Sequence, residues 1–371
     1  MTKIKNISKL NKWFDGLSEP LIIAGPCSAE SEEQVLTTAK EIAALGKVHV
    51  FRSGIWKPRT RPGNFEGIGE EGLQWLQLVK QETGLLTAVE VANKEHFDLA
   101  VKYDIDILWI GARTTSNPFS VQDLADYMKS YDKPVLVKNP INPDVQLWIG
   151  ALERFNKAGI NKLAAVHRGF YPFEATSLRN IPKWEVPIEL KSLCHTLPVI
   201  CDPSHISGNT EYIPEIAQKA LDLNMNGLMI ETHYNPSVAL SDMNQQLTPK
   251  QLGILLNNLV YRQSTTKDAD FTNILEILRN QIDSIDQQMI ELLAQRMNVV
   301  EEIGKYKSKN KVTILQLKRW EKIVNTRIKL GKSLGLTDDF VKKLLQLVHK
   351  ESIQRQTEVM NKINSTKKKT E

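Results

Sequence analysis

Charged and metal-ligating side chains recur at the ends of short apolar segments in the first two thirds of the sequence. In the stretch Phe51–Thr60, a β-branched and aromatic run leads into three cations, Arg52, Lys57 and Arg59, with a glycine and a proline between them that favour a turn. Planar guanidinium groups match phosphate and carboxylate oxygens. The stretch therefore predicts an anion site, although a solvated basic loop explains this one stretch equally well.

The same pattern occurs at the ends of eight apolar segments, and each ends at or near a residue that can bind or react. In chain order these residues are Cys27, Arg52, Glu90, Arg113, Lys138, Arg168, Asp202 with His205, and Glu231. A structural scaffold has no need for such a residue at every one of eight ends. An incidental distribution of charge is therefore the weaker interpretation.

Sulfur, nitrogen and oxygen ligands are combined in the first, seventh and eighth of these positions. The set is Cys27, His205, Glu231 and, a little further on, Asp242. Each alone has a simpler explanation, since a lone cysteine is usually a small buried apolar residue. Together they suit one divalent Mn²⁺, Fe²⁺, Co²⁺ or Zn²⁺ ion, but not Mg²⁺ or Ca²⁺ alone.

The remaining cations outnumber what a single phosphate needs. They are Arg52, Lys57, Arg59, Arg113, Lys138 and Arg168. Arginine forks bind phosphate and carboxylate bidentately. This set predicts a multiply anionic substrate, or two substrates, beside a metal ion that polarises a carbonyl group.

The elements that must position these residues alternate between strand and helix. The strand-like runs are 21–27, 48–52, 85–91, 107–113, 135–138, 162–168, 199–202 and 227–231. Strands that are apolar on both faces and alternate with helices indicate a parallel sheet. Eight such units predict a (β/α)₈ TIM barrel, in which the carboxyl ends of all strands surround one mouth. The segment 170–197, which contains three prolines, has the least regular helical pattern.

Beyond the barrel the pattern becomes purely helical. We predict domains at 1–262 (barrel), 263–270 (polar linker), 271–363 (three helices) and 364–371 (disordered tail). The second helix should span 314–330 and end at Gly331, and the third should begin after a cap at Thr337. Three helices with long apolar stripes are too slender to bury those stripes alone, so we expect this α-domain to dimerise.

Composition excludes several classes of protein. Of 371 residues, 41% are hydrophobic and 25% charged, as in soluble globular proteins. No signal-peptide core and no run approaching a membrane span is present, and an odd set of three cysteines favours a reducing cytoplasm. Residues 271–371 hold 20 Lys and Arg against 12 Asp and Glu, but no nucleic-acid-binding motif accompanies this charge. Dinucleotide and Walker motifs are also missing, so no organic cofactor is expected.

Four motifs of the barrel segment carry a family resemblance. Gly25–Ser28, Lys57–Thr60, Ile110–Thr114 and Asp202–His205 resemble the motifs of 3-deoxy-D-arabino-heptulosonate 7-phosphate (DAHP) synthases, most closely the short type I-beta subgroup, over residues 17–262. The resemblance implies condensation of phosphoenolpyruvate with erythrose 4-phosphate, the entry step of the shikimate pathway. The sister family that makes the eight-carbon octulosonate sugar has an Asn-containing motif at the position of Lys57–Thr60, which favours the four-carbon aldehyde here.

The resemblance also implies a role for each matched residue. The implied metal ligands are Cys27, His205, Glu231 and Asp242. Phosphoenolpyruvate would be bound by Arg52, Lys57, Arg113, Lys138 and Arg168, and erythrose 4-phosphate by Arg59 and Thr60. Lys57 is the candidate proton donor to the new alkoxide, and Glu90 would position or deprotonate the attacking water.

The helical segment resembles the small all-helical (AroQ-type) chorismate mutases. The matching residues are Arg279, Arg296, Lys307, Arg319, Ser352 and Gln356, and the clearest local matches are 278–283 and 304–307. Any one of the cations alone is more simply a solvated surface residue. The resemblance implies rearrangement of chorismate to prephenate, in which Lys307 and Gln356 face the ether oxygen. Arg296, Arg319 and Ser352 would bind carboxylates and nearby oxygens, and Arg279 would reach across from the partner subunit.

The sequence departs from this mutase pattern at one place. The acidic pair that usually contacts the substrate hydroxyl falls on Gln316 and Trp320, so activity would need other support, for which Glu321 is a candidate. The alternative is that the helical domain is chiefly a regulatory module. Prephenate or chorismate bound there would then inhibit the barrel.

Overall fold

The computed structural model describes residues 4–57, 65–129, 131–172, 176–262 and 269–367. The chain forms two compact units, Met1–Ser264 and Thr265–Glu371. Within the described residues, no helix combines the length and apolar character that crossing a membrane requires.

The first unit is a closed barrel of eight parallel strands in sequential order, in which β8 pairs with β1. This confirms the predicted fold class. The strands are β1 Leu21–Gly25, β2 Val50–Arg52, β3 Leu86–Glu90, β4 Ile107–Ile110, β5 Val135–Lys138, β6 Leu163–His167, β7 Val199–Cys201 and β8 Gly227–Glu231.

Helices return the chain between the strands and cover the outside of the barrel. They are α1 Glu32–Ala43, α2 Glu70–Thr83, α3 Lys94–Lys102, α4 Ala112–Thr115, α5 Pro118–Tyr127, α6 Val145–Lys157, α7 Glu185–Leu193, α8 Pro203–Ser207, α9 Ile213–Asp222 and α10 Pro249–Asn258. Capping follows the sequence: the side chains of Ser31, Asn93 and Asp144 each accept a bond from a backbone N–H in the first turn. Helix α7 forms despite the prolines around it, because Pro187 lies in its first turn, where no N–H partner is lost.

Alternation along the strands separates two apolar layers. Ile23 and Leu136 point into the barrel, whereas their neighbours Ile22 and Val137 pack against the helices. Leu10 and Trp13 of the N-terminal segment join the inner layer, together with the first residues of several strands. The end at which the strands begin is thus filled with apolar side chains, which leaves the opposite end for polar chemistry.

At that opposite end the backbone of β1 approaches β2 very closely. A Cβ atom on Gly25 would lie 2.1 Å from the carbonyl oxygen of Arg52, and its φ of +148° lies in a region that favours glycine. Only glycine therefore fits before Pro26 and Cys27. This contact sets Cys27 beside the base of the Arg52 side chain.

The second unit consists of α11 Ala269–Lys309, α12 Leu317–Ser333 and α13 Asp338–Lys367. Thr337 caps α13 as predicted, because its Oγ1 accepts a bond from Phe340 N. The predicted role of Gly331 as the end of the second helix is wrong: the helix continues to Ser333. A Cβ on Gly331 would lie 2.4 Å from Val341 Cγ2, so this glycine instead permits close packing of α12 on α13.

Two helix ends fall within the predicted linker and the predicted tail. Helix α11 begins at Ala269, inside the segment 263–270, and α13 ends at Lys367, four residues into the segment 364–371 for which we expect disorder. The rest of both segments lies outside the described residues.

Candidate active sites

Three potential metal ligands meet at the mouth of the barrel. Cys27 follows β1, Glu231 ends β8 and Asp242 lies in the loop beyond β8. One ligand atom from each of the three lies within 4.8 Å of the other two. Cys27 and Glu231 are fully buried, and Cys27 Sγ is 3.4 Å from Asp242 Oδ2.

The fourth expected ligand, His205, lies beside this group. It is carried by α8, directly after β7, and its Nε2 is 3.7 Å from Glu231 Oε1. Its Nδ1 is 2.8 Å from Asp202 Oδ2, so the buried carboxylate of Asp202 orients the ring.

The chemistry of these donors fits a divalent cation. Burial and the neighbouring carboxylates of Glu231 and Asp242 raise the pKa of the Cys27 thiol to about 12. Although burial opposes its ionisation, the charges of His205 and Arg52 keep the pKa of Glu231 below its ordinary value. A thiol between two carboxylates loses its proton only when positive charge is added to the site, which a bound metal ion supplies.

Two predicted cations contact the same group. Lys57 Nζ donates to the carbonyl oxygen of Cys27 at 2.8 Å and lies 2.9 Å from its Sγ. Arg52 Nη1 donates to Glu231 Oε1 at 2.9 Å, and both side chains are buried. Arg52 and Lys57 therefore border the candidate metal ligands directly.

Trp109, which no sequence pattern marked as a site residue, contacts three of the predicted site residues at the mouth. Its ring lies 4.8 Å from the guanidinium carbon of Arg52 and 5.6 Å from Lys138 Nζ. Its Nε1 donates to Glu90 Oε2 at 2.8 Å. The indole thus stabilises two cations through its π face and fixes a carboxylate through its edge.

Lys138 and Arg168 are held by buried polar partners. Lys138 Nζ is 2.9 Å from Asp202 Oδ2. Arg168 Nη1 donates to Asn180 Oδ1 at 2.9 Å, and burial lowers the pKa of Arg168 to about 10 despite the charge of Asp202. Arg113, exposed on α4, is near enough that its charge also lowers the pKa of Arg168.

Two further residues that we did not predict link the candidate ligands. Arg179 Nη1 lies 3.0 Å from Asp242 Oδ2 and donates to Gln245 Oε1 at 2.6 Å. Gln245 Nε2 in turn donates to Glu231 Oε2 at 2.6 Å. A cleft of about 690 Å³ borders Arg179, Asp242 and Gln245. These contacts join residues that are distant in the sequence, so no local pattern marks them.

Two predicted substrate residues, Arg59 and Thr60, lie outside the described residues.

The helical unit brings together four of its six predicted site residues. Arg296 Nη1 donates to Ser352 Oγ at 2.7 Å, and Gln356 Nε2 donates to the carbonyl oxygen of Ser352 at 3.2 Å. Lys307 Nζ donates to the carbonyl oxygen of Ile314 at 2.5 Å. Gly304, one turn before Lys307, packs against Gln356. Ser352 and Gln356 are buried, whereas Arg279 and Arg319 are exposed and Arg279 pairs with Glu276.

The departure from the mutase pattern has a structural counterpart. Gln316 is the exposed N-cap residue of α12, and Glu321 is exposed as well. The Trp320 ring stacks on His349 of α13, with centroids 4.0 Å apart and planes 15° from parallel. His349 was not predicted as a site residue.

The closed barrel of eight parallel strands, whose mouth combines buried cations with a Cys–Glu–Asp group that could hold a metal ion, is that of a (β/α)₈-barrel protein. The chain belongs to the DAHP synthetase I family, whose model matches residues 3–267. A chorismate mutase type II family model matches residues 278–357. The predicted combination of these two family resemblances is thereby confirmed.

Individual relatives agree with the family match. The chain is 34% identical to the phospho-2-dehydro-3-deoxyheptonate aldolase of Thermotoga maritima over 61% of its own length and 64% of the relative. It is 28% identical to the 2-dehydro-3-deoxyphosphooctonate aldolase of Acidithiobacillus ferrooxidans over 69% of its own length and 94% of the relative. The chain thus spans less than two thirds of the Thermotoga protein.

Solved structures give the same result for the barrel. A crystal structure of the Thermotoga maritima heptonate aldolase (DAHP synthase) superposes with a TM-score of 0.57 at 31% identity, covering 64% of this chain and 67% of that one. A truncated form of the 3-deoxy-D-arabino-heptulosonate 7-phosphate synthase from the same organism has a TM-score of 0.55 at 28% identity, covering 64% and 84%.

The buried Asp202 should matter far more to stability than an exposed carboxylate with similar partners. Asp202→Asn leaves Lys138 without its buried counter-charge, and we expect the free energy of unfolding to fall by ~3–5 kcal/mol. Asp104→Asn is the matched control, because Asp104 also has two basic partners, in its case Lys80 and Lys133, but is 69% exposed; its effect should be below ~1 kcal/mol. Urea unfolding followed by tryptophan fluorescence reports on the barrel, which holds six of the seven tryptophans. Equal effects of the two substitutions would contradict this account.

Proposed function

We propose that the barrel condenses phosphoenolpyruvate with erythrose 4-phosphate, giving DAHP and inorganic phosphate in a metal-dependent reaction. The observation that carries the proposal is the contact of the Cys27, Glu231 and Asp242 group with a mouth lined by cations. A carbonyl and two phosphorylated substrates need both features, and the family match supports the same reaction.

The four-carbon aldehyde is proposed over the five-carbon aldehyde that leads to an octonate. The motif Lys57–Thr60 is the feature that separates the two sister families. The Thermotoga heptonate aldolase is also more similar in sequence, at 34% identity, than the octonate aldolases, at 27–28%. Arg59 and Thr60 are assigned to the aldehyde and its phosphate on the motif alone.

Two buried, two half-buried and one exposed cation form the proposed binding site for phosphoenolpyruvate. They are Arg52, Lys57, Arg113, Lys138 and Arg168, of which Arg113 is the exposed member. They lie at or beyond the ends of four strands, with Arg52 and Lys57 both following β2, so together they can contact a carboxylate and a phosphate from several sides. Fixed cations with few water contacts bind such groups more strongly than solvated ones do.

One divalent ion would be held by Cys27, His205, Glu231 and Asp242. When bound, it polarises the aldehyde carbonyl. Lys57, whose Nζ is 2.9 Å from Cys27 Sγ, is placed to give a proton to the oxygen that becomes an alkoxide when the enol carbon bonds to the aldehyde carbon. Glu90, oriented by Trp109, would hold the water that adds to the resulting cationic carbon before phosphate leaves.

Loss of the thiol should remove metal binding and condensation together. Cys27→Ala should lower the affinity for Mn²⁺ by more than the ~10–100-fold that loss of an outer-shell partner costs, measured by calorimetric titration of metal-stripped protein. Chelator treatment of the unsubstituted protein should abolish consumption of both phosphorylated substrates, and added Mn²⁺ should restore it. Cys194→Ala, which removes a buried cysteine near the end of α7, is the control. Full condensation by metal-free protein would refute the metal role.

For the helical unit we propose the rearrangement of chorismate to prephenate. This pericyclic reaction needs no nucleophile, only a site that holds a dianion in a compact shape and stabilises charge on the ether oxygen. Arg296 and Lys307 of α11 and Ser352 and Gln356 of α13 supply such groups, and α11 packs against Gln356 at Gly304, one turn before Lys307. Arg319 is assigned to the same ligand, and Arg279 to the site of the partner subunit.

Substitution of Lys307 should lower chorismate conversion without affecting condensation by the barrel. Lys307→Ala should lower kcat/KM for chorismate by ~10²–10³, as loss of one donor to a developing anion does, while condensation by the barrel continues unchanged. Lys309→Ala, an exposed lysine on the same helix, should leave both activities intact. The measurements are chorismate absorbance and phosphoenolpyruvate consumption on the same preparation. Normal chorismate conversion by the Lys307→Ala protein would show that Lys307 does not stabilise the ether oxygen.

A second candidate function is regulation, favoured because the usual acidic pair is replaced by Gln316 and Trp320. Prephenate bound at the helical site would then inhibit the barrel. If so, Arg296→Ala should raise the prephenate concentration for half-inhibition of condensation by ~10–100-fold, the cost of losing a hydrogen bond to a charged group. Arg355→Ala, which removes an exposed arginine of α13, should change nothing. Unaltered inhibition in the Arg296→Ala protein would show that prephenate binds elsewhere.

A dimer through the helical unit is part of the proposal. Helix α11 exposes a long series of large apolar side chains, including Ile274, Leu278, Ile282, Ile285 and Met289. Such a stripe is normally covered by another subunit. A reducing, cytoplasmic setting is also proposed, because Cys27, Cys194 and Cys201 form no disulfide bond.

A further inference from the structure

The stacked pair Trp320 and His349 lies on the same face of the helical unit as the proposed chorismate residues. On α13, His349, Ser352 and Gln356 are separated by three and four residues, so they share one side of the helix. Trp320 belongs to α12 and covers the imidazole from the other side. His349 therefore occupies the end of the row that already contains two proposed ligand contacts.

Two polar atoms of this row lack a partner among the described residues. His349 Nε2 and Gln356 Oε1 are both buried from solvent, and neither makes a hydrogen bond within the described part of the chain. A buried polar atom without a partner costs free energy, so such atoms are uncommon in a folded protein and mark places where a ligand or water completes the bonding. Here two of them lie on the same helix face.

The electrostatic environment ties His349 to the same site. Burial, followed by the positive charges of Arg296 and Lys307, lowers the pKa of His349. The imidazole is therefore neutral and close to both cations. A neutral ring presents a lone pair on one nitrogen, and a lone pair directed toward cations is the favoured arrangement.

We propose that His349 is a ligand-binding residue of the helical site, whose Nε2 accepts a hydrogen bond from the ring hydroxyl of the dianion held by Arg296 and Lys307. Trp320 is a positioning residue that keeps the imidazole flat against α12. This inference rests on the proposed chorismate-converting or prephenate-binding function. It assigns to a histidine and a tryptophan the hydroxyl recognition that the sequence left without an acidic residue.

Three substitutions of His349 test whether the Nε2 position matters. His349→Gln places an amide where Nε2 lies, His349→Asn reaches only the Nδ1 position, and His349→Leu retains bulk without polarity. We expect kcat/KM for chorismate to fall roughly 5–100-fold in the Asn and Leu variants and to stay within about fivefold of the unsubstituted protein in the Gln variant. Lys350→Ala, on the exposed next position, is the control. Far-UV circular dichroism of each full-length variant checks that the helical unit is folded, because phosphoenolpyruvate consumption reports only on the barrel.

A double-mutant cycle tests the role of Trp320. If the indole acts by holding the imidazole, Trp320→Leu lowers kcat/KM for chorismate in the unsubstituted chain but has little further effect in the His349→Leu background. Trp320→Phe, which keeps a flat ring, should lower kcat/KM for chorismate less than Trp320→Leu does. Independent, additive losses would overturn the positioning role and leave a packing role instead.

The outcomes separate this inference from the function on which it rests. Normal chorismate conversion by His349→Leu and His349→Asn, with normal prephenate affinity by calorimetry, would overturn the inference and leave the proposed function standing. An unsubstituted protein that neither converts chorismate nor binds prephenate would overturn the proposed function itself, and the inference with it. Equal losses in the Gln, Asn and Leu variants would also overturn it, because they would show that the imidazole ring as a whole, and not an acceptor at the Nε2 position, is required.

Discussion

The barrel site depends on one constraint, which is that charges buried at the mouth must be compensated within a few ångströms. Arg52 and Glu231 meet at 2.9 Å with almost no exposure to solvent, and they join β2 to β8 across the end of β1. Lys138 and His205 likewise both contact the buried carboxylate of Asp202. Removing one member of such a pair leaves a bare buried charge. The pairs therefore hold the binding groups in place before any ligand arrives.

The same constraint explains why the thiol of Cys27 is close to a cation and two carboxylates at once. Lys57 partly offsets Glu231 and Asp242, yet burial and those carboxylates still hold the thiol in its protonated form. An added divalent charge shifts this balance, so metal binding and loss of the thiol proton are coupled. Arg179 and Gln245 limit the freedom of the carboxylates by bonding to them from the outer side. Preorganisation of this kind lowers the cost of assembling the site.

Sequence patterns predicted the strands well, because a parallel strand has a continuous apolar run. They were less accurate at the strand ends, since Cys27 and Arg113 lie two and three residues beyond β1 and β4. The helix bounds of the C-terminal unit were less accurate, because Gly331 was interpreted as a local stop signal whereas its contact with Val341 is tertiary. Trp109, Arg179 and His349 were missed for the same reason. Their partners are 19 to 66 positions away, and nothing in the neighbouring sequence marks those contacts.

The cations of the two units differ in whether the chain itself compensates their charge. In the barrel, Arg52 and Lys138 already have carboxylate partners, so a substrate must share these cations with internal anions. In the described part of the helical unit, Arg296 and Lys307 donate instead to a hydroxyl and a carbonyl oxygen, which carry no charge. A dianionic ligand there supplies compensation that the chain itself does not provide through these bonds. Ligand binding should therefore change the electrostatics of the helical unit more than substrate binding changes those of the barrel.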